Sequence, residues 1–168
     1  MGINISKFMA EDLIDLNFQV EQEPPPEEGN SNKWRERNKE RILSSLVSLL
    51  DKSGQTCNKS KLLNDFIFRE RKATTALGLG IAVPHIRTMQ AREFVIGFAR
   101  SIEGYDFGSP DKLLTHMFFI MAAPPYDDSL YLKVFKSLSE NLQYEYFREE
   151  LMNARIPFDI IRAFKNVE

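Results

Sequence analysis

Covalent chemistry near neutral pH needs a nucleophile or a proton carrier, and this chain offers few: two imidazoles, His85 and His116, and one thiol, Cys57. An imidazole titrates near pH 6.5, so modest adjustments from its surroundings make it a nucleophile, a general base or a metal ligand. The two histidines stand far apart in sequence, and no Cys/His cluster has the spacing of a zinc site, so no metal is expected. His116 opens an apolar run, HMFFIMAA, and reads as a histidine at the edge of a core with one ring nitrogen satisfied. His85 follows GLGIAVP, in which Pro84 fixes its own φ and cannot donate to a ladder, so the imidazole stands at the rim of a sheet. The local pattern leaves two readings of His85 open: an accessible nucleophile, or a partly buried structural residue at a strand end. Gly78-x-Gly80 is too short for a dinucleotide fingerprint and lacks the Lys-Ser/Thr of a P-loop, so it reads as a turn. Thr74 and Thr75 are either plain loop hydroxyls or, with the backbone N–H groups of that turn, an anion-binding nest. No serine elbow, HExxH or kinase signature is present.

These groups need a scaffold. Residues 21–32, EQEPPPEEGNSN, combine prolines, glutamates and turn formers and predict an exposed surface loop. Beyond it, Ile42, Leu43, Leu46, Val47 and Leu50 recur at helical spacing, with Gly54 marking the end. Leu62, Leu63, Phe66 and Ile67 predict a second helix, capped by Asn58 or Ser60, that delivers Arg69 and Glu70 to a loop. From residue 73 the text changes to strand and turn material, and 94–99 and 116–123 read as short strands covered on both faces. Asp127, Asp128 and Ser129 offer a cap to a helix with the stripe Val134, Phe135, Leu138 and Leu142 and with Tyr131 in its first turn; a last helix carries Ile160, Ile161 and Phe164. Helices interleaved with buried strands predict an α/β fold, a three-layer sandwich with a central mixed sheet flanked by helices, in one domain over residues 1–168. With 43% hydrophobic and 27% charged residues in 168, the composition suits such a domain. The balance of 22 Lys+Arg against 24 Asp+Glu gives no electrostatic footprint for nucleic acid or an anionic membrane. One cysteine excludes an internal disulfide framework, and no apolar stretch reaches the ~18 residues of a membrane span, so a cytoplasmic setting is expected.

Taken together, RERKATTALGLGIAVPHIRT, residues 69–88, resembles the active-site segment of the fructose/mannitol-type IIA family of the bacterial sugar phosphotransferase system and its nitrogen-regulatory relatives, where the pattern reads roughly RExxxSTxIGxGIAIPH. Arg69, Glu70, Thr75, Gly78, Gly80, Ala82, Pro84 and His85 match in spacing, while Thr74, Leu77 and Val83 are conservative replacements. ISKFMAEDLIDL, GYDFGSPDKLLTHMFFIMAAPP and LKVFKSLSENL extend the likeness over nearly the whole chain apart from the acidic proline loop.

The resemblance implies that His85 accepts a phosphoryl group from a histidine phosphocarrier protein and passes it to a IIB domain or uses it as a signal to a regulated target, with no organic cofactor. Arg69 would stabilise charge on the phosphate, because a guanidinium stays charged and makes paired hydrogen bonds. Thr74, Thr75 and Tyr131 would add contacts, and Arg87, two residues from His85 on extended backbone, extra positive charge on the same side. Two departures matter. Tyr131 stands where the family carries a second active-site histidine, and a phenol donates one hydrogen bond but does not become cationic near neutral pH. Ile86 is bulky where the family keeps a small residue next to the phosphorylated histidine. The replacement at Tyr131 supports an alternative, a IIA-like regulatory binding module with weak or no phosphotransfer.

Overall fold

The computed structural model describes residues 3–29, 31–127 and 129–168. Two 3₁₀ turns lead into β1 (Ile14–Asp15), followed by α1 (Ser31–Asp51) and α2 (Lys59–Lys72). The glycine-rich segment after α2 then folds as three very short strands, β2 (Ala76–Gly78), β3 (Ile81–Ala82) and β4 (His85–Arg87). The long pair β5 (Val95–Tyr105) and β6 (Thr115–Ala123) precedes α3 (Leu130–Asn141), α4 (Glu145–Met152) and α5 (Pro157–Val167).

The sheet is mixed, in the order β1-β5-β6-β3-β2, with β4 also on β6. β5 and β6 are antiparallel, whereas β3 and β4 both run parallel to β6 and lie end to end along the same edge of it. Val83 and Pro84 separate them, and Pro84, which has no N–H to give, still accepts from Met121 N–H at 2.9 Å through its carbonyl. The expected three-layer sandwich follows from alternation along β6. Phe118, Ile120 and Ala122 face the buried stripes of α1 and α2, while Met117, Phe119 and Met121 face Val134, Leu138, Phe147, Ile160 and Phe164 of α3 to α5. Removing each of these phenylalanines from water contributes about 1.5–3 kcal/mol, enough to fix which face of β6 meets which layer.

Several expectations shift at their edges. α1 starts at Ser31, so the acidic loop stops short of 32; its Pro24, Pro25 and Pro26 are exposed, but Glu23 is gripped by Asn38, Arg37 and Arg41 of α1. Arg69 and Glu70 sit in the last turn of α2 rather than in a loop, with Asn58 as the helix cap accepting from Lys61 N–H. The start of α3 is capped by the Asp127 carboxylate, which accepts from the N–H groups of Ser129, Leu130 and Tyr131; Asp128 lies outside the described residues. α4 was not anticipated, and its C-terminus is capped from a distance. Buried Arg100 of β5 donates to the carbonyls of Leu151, Met152 and Ala154, satisfying acceptors a helix end leaves open.

Candidate functional site

His85 begins β4 and is half-buried, with its ring between the sheet and α3. Its Nδ1 lies 2.5 Å from the Val83 carbonyl oxygen, an acceptor only, so Nδ1 carries the proton and donates it. That tautomer leaves Nε2 with a free lone pair. The ring packs on Phe135 with centroids 4.8 Å apart and on Tyr131 at 5.7 Å. Burial is the main influence pushing the His85 pKa below its ordinary value, and the Arg69 charge adds to it; the Val83 hydrogen bond and the Glu70 carboxylate pull the other way. The net result is an imidazole held neutral at neutral pH.

Two guanidinium groups act on the neighbouring Tyr131. Arg69 donates to the Ala73 carbonyl at 3.0 Å, and its charge acts on both His85 and Tyr131. Arg87 donates to the Asp127 carbonyl at 3.4 Å and lies over the Tyr131 ring, 6.0 Å from its centroid. His85 and Arg87 both meet Tyr131, while Ile86 between them packs toward α1 and α2. Burial raises the Tyr131 pKa against the opposing pull of Arg69 and Arg87, so the phenol stays protonated and can donate.

Thr74 and Thr75 do not turn toward the imidazole. Thr74 Oγ1 donates to the Phe107 carbonyl and accepts from Ala76 N–H. Thr75 is buried, and both its N–H and its hydroxyl donate to the Glu70 carboxylate. The glycine turn is no empty nest either. Leu79 N–H donates to Asp111 Oδ2 at 2.8 Å, and the turn sits by Met117, four residues along β6 from the partner of His85, or ~13 Å away. His116 lies at that far end. Its Nδ1 meets the Ser101 carbonyl at 3.0 Å, and its ring is pressed against Gly104, where a Cβ would stand 2.7 Å from Cε1. This is the core-edge histidine expected from the sequence.

Between α2 and β4 a groove of about 470 Å³ is lined by Lys61, Asp65, Arg69, Lys72, Ile86 and Arg87, with Phe68 and Met89 at 64% and 78% exposure; it reaches the sequence neighbours of His85 but the imidazole does not line it. Among the described residues no three His, Cys, Asp or Glu side chains converge as a metal site would require, and no helix is long and apolar enough to cross a membrane. Sequence reasoning missed Phe135 and Glu70 as neighbours of the imidazole. Glu70 carried a signal, a carboxylate directly after Arg69 and five residues before Thr75, but nothing in the spacing said it would be buried.

The chain matches the family "Phosphoenolpyruvate-dependent sugar phosphotransferase system, EIIA 2" over residues 32–167. It is 32% identical over 116 residues to the fructose-specific EIIA component of Haloferax volcanii, an alignment that covers 69% of this chain and 75% of that protein. Several other curated relatives are far longer, and the chain spans 19% of one and 14% of others. In fold it resembles the nitrogen regulatory protein IIA-Ntr of Neisseria meningitidis, with a TM-score of 0.80, 21% identity and 95% and 98% of the two chains covered. It also resembles the Escherichia coli mannitol IIA solved in complex with phosphorylated mannitol IIB, with a TM-score of 0.71, 19% identity and 94% and 97% coverage.

Proposed function

Since this chain belongs to the EIIA 2 family of the phosphoenolpyruvate-dependent sugar phosphotransferase system, a family of phosphoryl-carrier domains, we propose that it works as one IIA-like unit that carries its phosphoryl group on Nε2 of His85. The observation that carries this reading is the bond from Nδ1–H to the Val83 carbonyl, which leaves Nε2 as the nucleophilic nitrogen. The donor is the phosphohistidine of a histidine phosphocarrier protein. The Nε2 lone pair forms the new N–P bond as the donor's N–P bond breaks, and the donor imidazole leaves with that electron pair. His85 keeps its Nδ1 proton throughout, and the positive charge that develops on its ring is stabilised by the Val83 carbonyl.

Such a transfer asks the protein for alignment and for charge stabilisation, with little covalent work beyond the nucleophile. Arg69 supplies positive charge that acts on His85, Arg87 supplies more over the Tyr131 ring, and the Tyr131 phenol supplies one donor in place of the imidazole that the family usually carries. The groove with exposed Phe68 and Met89, which Arg69 and Arg87 also line, offers a protein partner a surface close to these arginines. A IIB domain or a regulated target is the onward acceptor, in the cytoplasm. A second reading, a regulatory binding module with little phosphotransfer, is favoured by Tyr131 itself.

Intact mass decides between them. After incubation with phosphoenolpyruvate, enzyme I and the cognate histidine phosphocarrier, one acid-labile phosphate is expected on the wild-type chain and none on His85→Ala. No gain in the wild type, while a control IIA is labelled, refutes the carrier reading in favour of the regulatory one; gain that survives His85→Ala removes His85 as the acceptor.

A further inference from the structure

A carboxylate in a protein interior is costly unless it is paired and fully hydrogen-bonded. Glu70, in the last turn of α2, is 7% exposed. It touches neither the imidazole nor the two arginines by any hydrogen bond described for it. Its oxygens accept three: from Lys39 Nζ of α1 at 2.9 Å, from Thr75 N–H at 2.8 Å and from Thr75 Oγ1 at 2.7 Å. A single interior carboxylate therefore ties two helices to Thr75, the residue that leads into the strand-and-turn segment ending in His85.

The bonds continue beyond Thr75. Its carbonyl accepts from Val83 N–H at 3.0 Å, and the Val83 carbonyl accepts from His85 Nδ1–H. The peptide units on both sides of Val83 are thus engaged, one by Thr75 and the other by the imidazole. Thr75 is 3% exposed and Val83 is fully buried, so neither has water to fall back on if the register slips. Pro84, with its fixed φ, follows directly and narrows the freedom between Val83 and His85. An interior ion pair whose only task was stability would be replaceable by apolar packing at little loss. Here the bonds of the pair lead, without a gap, to the ring nitrogen that decides the tautomer.

We propose that Glu70 is a positioning residue for the nucleophile: through Thr75 and Val83 it holds the carbonyl that keeps the proton of His85 on Nδ1 and turns Nε2 toward the incoming phosphoryl group, an inference that rests on the phosphoryl-carrier reading. Lys39 is the counter-ion that makes the buried carboxylate tolerable. Thr75, expected from the resemblance to contact phosphate, acts instead as the middle member of this series.

The test reads the tautomer and the chemistry separately. Nitrogen-15 NMR of the unphosphorylated protein reports which nitrogen of His85 holds the proton. The wild type should show the Nδ1–H form alone. Glu70→Gln keeps the size but removes the charged acceptor, and mixed tautomers are expected together with a drop in transfer kcat on the order of tenfold at unchanged KM for the phosphocarrier. Because Glu70→Gln leaves Lys39 without a counter-ion, Thr75→Val is run beside it; it deletes only the Oγ1 bond and should shift both readouts in the same direction by less. Folded variants that keep the wild-type tautomer and kcat overturn the proposal, even if they melt lower. Since no phosphoryl donor enters the NMR measurement, a wild type that accepts no phosphate refutes the carrier reading while the tautomer result still judges Glu70.

Discussion

Phe135→Ala tests whether burial sets the protonation of the nucleophile. The Phe135 ring lies 4.8 Å from that of His85, and burial is the leading cause of the lowered His85 pKa. Opening this face lets water reach the imidazole and the pKa rise toward the unperturbed value of about 6.5. Only the neutral ring attacks phosphorus, so the transfer rate falls as pH drops through the His85 pKa. At pH 6.5 an unshifted histidine is half protonated, so the variant should retain roughly half of its own high-pH plateau while the wild type retains more. Linkage gives the stability trend its sign. A histidine whose folded pKa lies below the unfolded one loses stability as pH falls from above 6.5 through the folded value, because the unfolded chain takes up the proton first. The wild type should therefore lose stability in that window and Phe135→Ala should lose less. Phe135 is partly buried, so truncation itself costs about 2 kcal/mol, half of a full phenylalanine deletion, or a melting temperature roughly 4–8 °C lower. The assay is rapid-quench phosphorylation read by intact mass from pH 5 to 8, each protein normalised to its own plateau, with an NMR titration of His85 alongside. A break in the rate profile that stays in place or moves to lower pH would refute burial as the cause.

Three further substitutions probe the surroundings. Arg69→Lys keeps the charge but loses the planar fork, and a fall in single-turnover rate of about tenfold is expected; an unchanged rate makes Arg69 structural. Tyr131→His restores an imidazole 5.7 Å from His85 and should speed transfer severalfold if that donor limits the rate, whereas no change moves attention to Ile86. Gly104→Ala places a methyl 2.7 Å from His116 Cε1 at a φ of +82°, which should lower stability by about 2 kcal/mol in a urea titration without altering the tautomer of His85.

Much of the scaffold was legible because the stripes of α1, α2, α3 and α5 and the apolar runs of β5 and β6 are written in periods of 3.6 and in unbroken hydrophobicity. α4 was not, since Tyr146, Glu149 and Glu150 interrupt its apolar positions and just Phe147 and Leu151 are buried, with Met152 packed at the core's edge. The two-residue β1 carries too few residues to show any period; it exists because β5 offers it an edge at Phe98 and Ala99. Nothing in the neighbouring sequence marks Arg100 as a helix cap; it is one because the end of α4 folds back over it.

The chemistry divides along the same line. The resemblance carried by residues 69–88 named His85, Arg69 and Tyr131, because a family motif is written in the types and spacing of side chains in a short stretch of text, whereas the local pattern alone left His85 open between nucleophile and structural residue. The protonation of His85 was decided by what the fold brings to it: the Val83 carbonyl that selects the tautomer, the Phe135 ring that excludes water, and the Lys39 and Glu70 pair beneath the loop. Desolvation and long-range hydrogen bonds depend on which distant residues meet. Thr75 illustrates the difference, since its hydroxyl looked available to phosphate along the chain and is bonded to Glu70 in three dimensions.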